Sequence, residues 1–215
     1  MYDLPYYKEN DKEEILRFIH KYPFAFVAGC DEKQRPVATQ VPVFIEERNG
    51  VYFLTGHIMR KTDHYRAFAK NPDVLVVFTG PHTYVSATWY SNPHQASTWN
   101  YMSVHAKGKI KFLDEEGLVA VLKKLTLHFE NNNHDSSTIF DNLSGEYKQP
   151  LMKAIAAFEI EVESIENVFK LSQDRDEKSY DNIILKLSEK GGDSKLIADD
   201  MKKRASKSSG KDKHS

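Results

Sequence analysis

The chain is predicted to fold as an α+β protein built on a small, mostly antiparallel β-barrel with flanking helices. Three observations lead there. Strand-like runs arrive in hairpin pairs, the clearest joined at Asn49-Gly50. Only one short helix separates the strands of the first half, so a repeated βαβ pattern is missing. The longer amphipathic helices are held back to the second half, interrupted by one late strand.

Asn10 or Asp11 can cap a first helix in which Ile15, Phe18 and Ile19 share a face. Pro23 ends it, and Phe24–Gly29 reads as a short buried strand. Two β-branched and aromatic runs, Val37–Ile45 and Val51–Ile58, flank Asn49-Gly50. A two-residue turn there sets Arg48 opposite Val51. Continued along both runs, that register would bring Thr39 toward Arg60.

Thr62 or Asp63 is a suitable N-cap for a helix stopped by Asn71-Pro72. The run Asp73–Thr79 looks like a strand buried on both faces. Thr83–Trp89 and Ser97–Ala106 read as two further strands, the second continuing through a bulge at Gly108 to Phe112. Asp114 can cap a helix with the stripe Leu118, Val121, Leu122 and Leu125.

The stretch Asn131–Pro150 reads as a polar loop with short helical pieces. Phe158–Ile165 alternates apolar residues with glutamates, as a strand with one wet face would. Tyr180, Ile183, Ile184 and Leu187 form a stripe within Asp176–Glu189. Gly191-Gly192 then precedes a short helix near Lys195–Lys203, and the basic tail beyond is expected to be disordered.

Composition excludes several classes. With 215 residues, 40% hydrophobic and 28% charged, the chain suits one substantial domain or one with a small appendage. A formal net charge of −1 supplies no global field toward nucleic acid or anionic lipid. The lone Cys30 rules out an internal disulfide and a multi-cysteine zinc cage. His57, His82 and His105 show no metal-box spacing, so no metal is expected. The polar, acidic N-terminus is unlike a targeting signal, and no apolar run reaches membrane-helix length, so a cytoplasmic protein is expected. No Walker A loop, G-x-G-x-x-G or G-x-S-x-G elbow is present. The tail cations, from Lys202 to Lys213, suit solubility or nonspecific attraction to a polyanion.

Two segments carry chemistry. Gly80 to Gly108 holds both tryptophans, three of the 11 tyrosines and three of the nine histidines. Aromatic faces beside histidine, asparagine and hydroxyl groups suit a flat heteroaromatic ring, or an ordinary aromatic sheet core. In TGHIMRKTDHYRAFAKNP, Arg60 and Lys61 stand between a strand end and a helix start. With the Thr62 hydroxyl they form a donor set suited to a phosphate, or a solvated basic pair.

Taken together, MYDLPYY, YPFAFV, RPVATQVPVF, GHIMRK, LVVFTGPHTYVSATWY, TWNYMSVHAKG, FEIEVESIE and FKLSQDR resemble the PaiB family, described as FMN-binding negative transcriptional regulators. The likeness runs from about Met1 to Met201. It implies an FMN-binding split β-barrel related to pyridoxamine 5′-phosphate oxidase, with a C-terminal helical extension, and a homodimer with flavin at the subunit seam. On that basis the barrel would occupy residues 1–173, the extension 174–203 and the tail 204–215.

The resemblance implies Arg60, Lys61 and Thr55 at the phosphate. It sets Thr39, Gln40, Val41 and Pro42 along the ribityl chain and ring edge, and Trp99, Asn100 and Tyr101 near the isoalloxazine. Lys170 and Gln173 of KLSQ become ring-edge or phosphate contacts. The chain departs from the family at Gln40, where a histidine is usual, and at Asp174, where an asparagine is usual. Met59 stands where the superfamily has serine. The pyridoxal-phosphate-binding residues of the oxidase have no match. Three functions therefore stand at this point: an FMN-binding regulator with DNA as partner, an FMN-dependent oxidoreductase, and a dimeric scaffold with an empty pocket or a haem served by His57 or His105.

Overall fold

The computed structural model describes residues 1–2, 4–92 and 94–211, with side chains described through Ser206. Its elements, in chain order, are α1 (Lys12–Lys21), β1 (Phe24–Cys30), β2 (Pro36–Pro42), β3 (Phe44–Arg48), β4 (Val51–Met59), α2 (Asp63–Phe68) and β5 (Asp73–Val85). There follow β6 (Thr98–Phe112), α3 (Glu115–Phe129), α4 (Gly145–Ala154), β7 (Ile155–Lys170), α5 (Glu177–Lys190) and α6 (Gly192–Lys211). Seven strands of the described residues form one sheet, ordered β2-β1-β5-β6-β7-β4-β3. β1 pairs antiparallel with β2 and β5, and β4 does so with β3 and β7. The chain forms two compact units: Ile19–Phe78 with His105–Ile165, and Met1–Phe18 with Thr79–Val104 and Glu166–Ser215.

In the unit of Ile19–Phe78 and His105–Ile165, the Asn49-Gly50 hairpin forms in the expected register, Arg48 opposite Val51 and Phe44 opposite Thr55. Asn49 and Gly50 both have positive φ, 53° and 80°, as a primed hairpin turn demands. The register does not reach further back. The strand is interrupted at Val43, and β2 pairs with β1, so Thr39 lies opposite Val27 rather than Arg60. The apolar stripe on β1, β4 and β5 fills the core with Ala25, Val27, Leu54, Ile58, Val76 and Phe78. β5 alternates between buried and half-buried or exposed residues, instead of being buried on both faces.

Two closely packed glycines fix this unit. A Cβ on Gly108 would fall 2.1 Å from the Glu161 carbonyl oxygen, and one on Gly56 would meet Phe158 at 2.7 Å and the Pro42 oxygen at 2.8 Å. Gly108 therefore marks a close backbone approach within a β6 that runs straight through to Phe112. Asp114 caps α3 through its carboxylate, accepting from the Gly117 N–H at 2.9 Å. The polar 131–150 stretch yields more helix than expected: Ser144 caps α4, which carries Pro150 inside it. Leu118 and Val121 of α3, joined by Met152 of α4, pack on Ala157.

β7 begins at Ile155, earlier than expected, and its glutamates are not uniformly wet. Glu159 is 6% exposed and ion-paired with Arg48 at 2.5 Å and Lys111 at 2.9 Å. Burial disfavours its charge, but hydrogen bonds from Lys111 and Arg48 and their charges outweigh that, holding its pKa below the ordinary 4.5. The sign follows: this contribution is whole above pH 4.5 and fades as pH falls through the lowered value. Glu159→Gln should destabilise the chain at pH 7 and flatten the loss of melting temperature between neutral and acid pH. A variant whose acid profile matched the parent's would remove Glu159 from the account.

The other unit packs α5 and α6 on one face of its strands. Ile183, Leu187, Ile197, Ala198 and Met201 are fully buried. Thr83 Oγ1 meets Ser194 Oγ at 2.8 Å, and the Tyr180 hydroxyl donates to the Met201 carbonyl at 3.1 Å. Asp176 caps α5, its side chain accepting from the Ser179 N–H. α6 starts at Gly192 and reaches Lys211, well past the expected Lys195–Lys203 helix, and residues 212–215 of the basic tail lie outside the described residues. Arg204 pairs with Glu9 at 2.8 Å and lies over the Phe169 ring at 4.9 Å. No described helix is long and apolar enough to cross a membrane.

Candidate functional site

The residues implicated by sequence divide between the two units. Thr39, Gln40, Val41, Pro42, Thr55, Arg60 and Lys61 belong to the unit of Ile19–Phe78 and His105–Ile165. There β4 ends at Met59 and α2 begins at Asp63, leaving Arg60, Lys61 and Thr62 in the link. Thr62 is the N-cap: its hydroxyl oxygen accepts from the Tyr65 N–H at 3.3 Å while donating to the Met59 carbonyl at 2.8 Å. That hydroxyl is therefore already engaged by the helix.

Arg60 is held rigidly. Its backbone N–H donates to the Ala154 carbonyl at 2.9 Å, its Nε to the Ile155 carbonyl at 2.7 Å, and its Nη1 to the Tyr65 hydroxyl at 3.3 Å. Tyr65 in turn packs against Phe112, ring centroids 4.6 Å apart. The other guanidinium donors have no partner among the described residues, and the Lys61 side chain next to them is exposed. A fixed arginine with spare donors beside an exposed ammonium is chemically suited to an anionic phosphate.

Arg60 also lines a cavity of about 500 Å3 with Asp114, Glu115, Leu118, Gln149, Met152 and Lys153. In that lining Asp114 and Glu115 stand against the cations Arg60 and Lys153. Thr55 is 5% exposed and sits opposite both Phe44 and Glu159 in the sheet. Gln40 and Pro42 share the open face of β1 and β2 with Phe26 and Phe24, while Thr39 and Val41 oppose buried Val27 and Ala25.

His57, three residues before Arg60, lies opposite Ala157. Burial lowers its pKa, so the ring is neutral at pH 7, and its Nδ1 is buried without a hydrogen-bond partner among the described residues. Among the described residues, no group of three or more His, Cys, Asp or Glu is placed to hold a metal ion.

Trp99, Asn100, Tyr101, Lys170 and Gln173 belong to the other unit. Strand alternation separates the first three. Asn100 points toward the helices, fully buried, accepting from Ser172 Oγ at 3.0 Å and facing Met201 Sδ at 3.7 Å. Trp99 lies on the opposite, open face, 53% exposed, with His82 and Tyr84 each 6.1 Å away. Tyr101 shares that face and is half-buried. Asn100 is thus a structural lock, and it is the indole that a planar ligand could reach.

Lys170 Nζ donates to Thr98 Oγ1 and lies 5.8 Å and 5.9 Å from the Tyr2 and Tyr7 ring centroids. Burial lowers its pKa, opposed by the Asp174 charge. Gln173 closes on its own turn, accepting from the Leu171 N–H at 2.6 Å and donating to the Phe169 carbonyl, around Ser172 at φ 62°. Tyr7 is buried beside Asp174, and its burial together with that carboxylate pushes its pKa up. Its only sequence signal was its place in the MYDLPYY motif.

Comparison with known proteins decides the family. A family described as "Putative FMN-binding domain" matches residues 1–164. The chain belongs to this FMN-binding family. Within it, the chain is a PaiB homologue: it is 35% identical over 208 residues to the Protease synthase and sporulation protein PAI 2 of Bacillus subtilis, covering 96% of this chain and 99% of that protein. The family's cofactor is FMN, as the motifs implied.

Solved structures show the same fold at low identity. The flavocytochrome Anf3 from Azotobacter vinelandii matches with a TM-score of 0.58 at 16% identity, over 84% of this chain and 78% of that one. A FAD and haem binding protein from Mycobacterium smegmatis matches with a TM-score of 0.54 at 17% identity, over 76% and 73%. The FMN-binding family member described here is accordingly an α+β split β-barrel, as its sequence predicted.

Proposed function

We propose that the chain is a cytoplasmic, homodimeric FMN-binding regulator in which Arg60 and Lys61 hold the cofactor phosphate and flavin occupancy alters engagement of a DNA partner. The observation carrying this reading is the cationic link after β4. Arg60 is locked by Ile155 and Tyr65, and Lys61 is left exposed beside it, in a member of an FMN-binding family. When bound, FMN supplies a redox-active ring. The protein's part at this link is to anchor the phosphate. Titrating FMN into the apoprotein and following flavin fluorescence tests the binding. A gel shift with the organism's own promoter fragments, across salt concentrations, tests the regulation. Equal salt-sensitive affinity for every fragment would reject specific recognition.

The homodimer draws support from Phe24 and Phe26, 54% and 44% exposed on the open face of β1. Apolar rings at that exposure favour burial against another surface. Phe24→Asp with Phe26→Asp should convert a dimer to a monomer in sedimentation equilibrium. An unchanged mass would place the interface elsewhere.

A second reading is an FMN-dependent oxidoreductase. The open face of His82, Tyr84 and Trp99 favours it, since a planar acceptor can stack there. NADH or NADPH oxidation in air no faster than with free FMN would reject it.

A further inference from the structure

A buried tyrosine–arginine stack lies outside the residues assigned above. Tyr90 follows the short helical turn Ala87–Trp89 and is 5% exposed, with no hydrogen-bond partner for its hydroxyl among the described residues. The Arg175 guanidinium lies 4.5 Å from the Tyr90 ring centroid, and its Nε is likewise buried and unpartnered. The rest of Arg175 is tied down: Nη1 donates to Gln95 Oε1, and Nη2 lies 3.8 Å from Asp174 Oδ2. Asp174 in turn lies beside Tyr7.

Both orphaned groups are donors. Burial pushes the Tyr90 hydroxyl pKa up, so it stays a neutral phenol with a proton to give. A buried N–H and a buried O–H left unmet cost free energy, so the stack demands an acceptor. Local charge limits which one. Lys170 and Arg175 are cationic beside Asp174, and Asp176, held by Ser91 and Ser179, follows Arg175. Beside two carboxylates a monoanion is tolerated better than a dianion.

We propose that the Tyr90–Arg175 pair is a binding subsite for a small monocarboxylate. One carboxylate oxygen accepts from Arg175 Nε–H and an oxygen accepts from the Tyr90 hydroxyl, the Arg–carboxylate pairing favoured by charge and planarity. Neither residue belongs to the proposed phosphate corner, and the dianionic phosphate of FMN is not the occupant.

Thermal unfolding and calorimetric titration of the full chain with sodium acetate, against sodium chloride and inorganic phosphate at equal ionic strength, test this. Acetate should raise the melting temperature saturably, with phosphate acting no differently from chloride. Tyr90→Phe removes an unmet donor, so it should melt in chloride no lower than the parent while binding acetate roughly tenfold more weakly. Arg175→Lys keeps the charge but loses the Nε donor, and should lose the acetate response. Arg60→Ala with Lys61→Ala should keep it, which separates this subsite from the FMN reading. Three results would overturn the proposal: no acetate-specific shift in the parent, phosphate binding more tightly than acetate, or a Tyr90→Phe variant that melts lower in chloride yet still responds to acetate. The last is the signature of a hydroxyl satisfied by buried water.

Discussion

Arg60→Ala combined with Lys61→Ala is expected to weaken FMN binding by about a hundredfold or more, while the far-ultraviolet spectrum stays that of the parent. Two charge-assisted contacts to a phosphate are each worth roughly 1.5–3 kcal/mol, and each 1.4 kcal/mol is about tenfold in affinity. The two residues should not contribute alike. Arg60 also bonds the Ile155 carbonyl and Tyr65, so Arg60→Ala alone should lower the melting temperature as well as affinity. Lys61 is exposed with no such partner, so Lys61→Ala alone should cost affinity with little change in stability. Flavin fluorescence titration beside thermal melting separates the two effects. A double variant that keeps parental affinity would move the phosphate away from this corner.

The second large effect is expected at Gly108. A Cβ there would lie 2.1 Å from the Glu161 carbonyl oxygen and 2.9 Å from its carbon, both backbone atoms that cannot swing aside. Gly108→Val should destabilise the chain by roughly 3–5 kcal/mol, in the range reserved for severe core clashes. The matching control is Gly145→Ala in the first turn of α4. Nothing lies within 4 Å of a Cβ at that position, and alanine is the better helix former, so stability should hold or rise slightly. Urea melts of the two variants check both. A Gly108→Val protein as stable as its parent would show that β6 and β7 do not approach so closely.

These contrasts show where the sequence was legible. Asn49-Gly50 declares its turn locally, because only residues tolerant of positive φ fit both positions, and the register from Arg48 back to Phe44 follows at once. Beyond Val43 the choice between pairing with β4 and pairing with β1 is tertiary. No local residue announces it, which is why Thr39 is found opposite Val27. Caps were readable for the same local reason: Thr62 and Asp114 each accept an N–H from their own first turn.

Glu159 misled because alternation reports strand period, not what covers the second face. Here Arg48 and Lys111 close over it. α4 was hidden by Pro150, which usually argues against a helix interior. At the candidate site, Arg60 and Lys61 stood out by their place between strand and helix. The resemblance grouped Asn100 with Trp99 and Tyr101, whereas a period of two sends it to the other face of the strand. Tyr90 and Arg175 could not be paired from sequence, since they are far apart in the chain and meet only once α5 is packed.

The central claim is that the FMN phosphate docks in the link between β4 and α2. A crystal structure of the chain grown with FMN measures this directly. Phosphate oxygens are expected within hydrogen-bond distance of the Arg60 guanidinium and the Lys61 ammonium. Density placing the phosphate away from both side chains would contradict it.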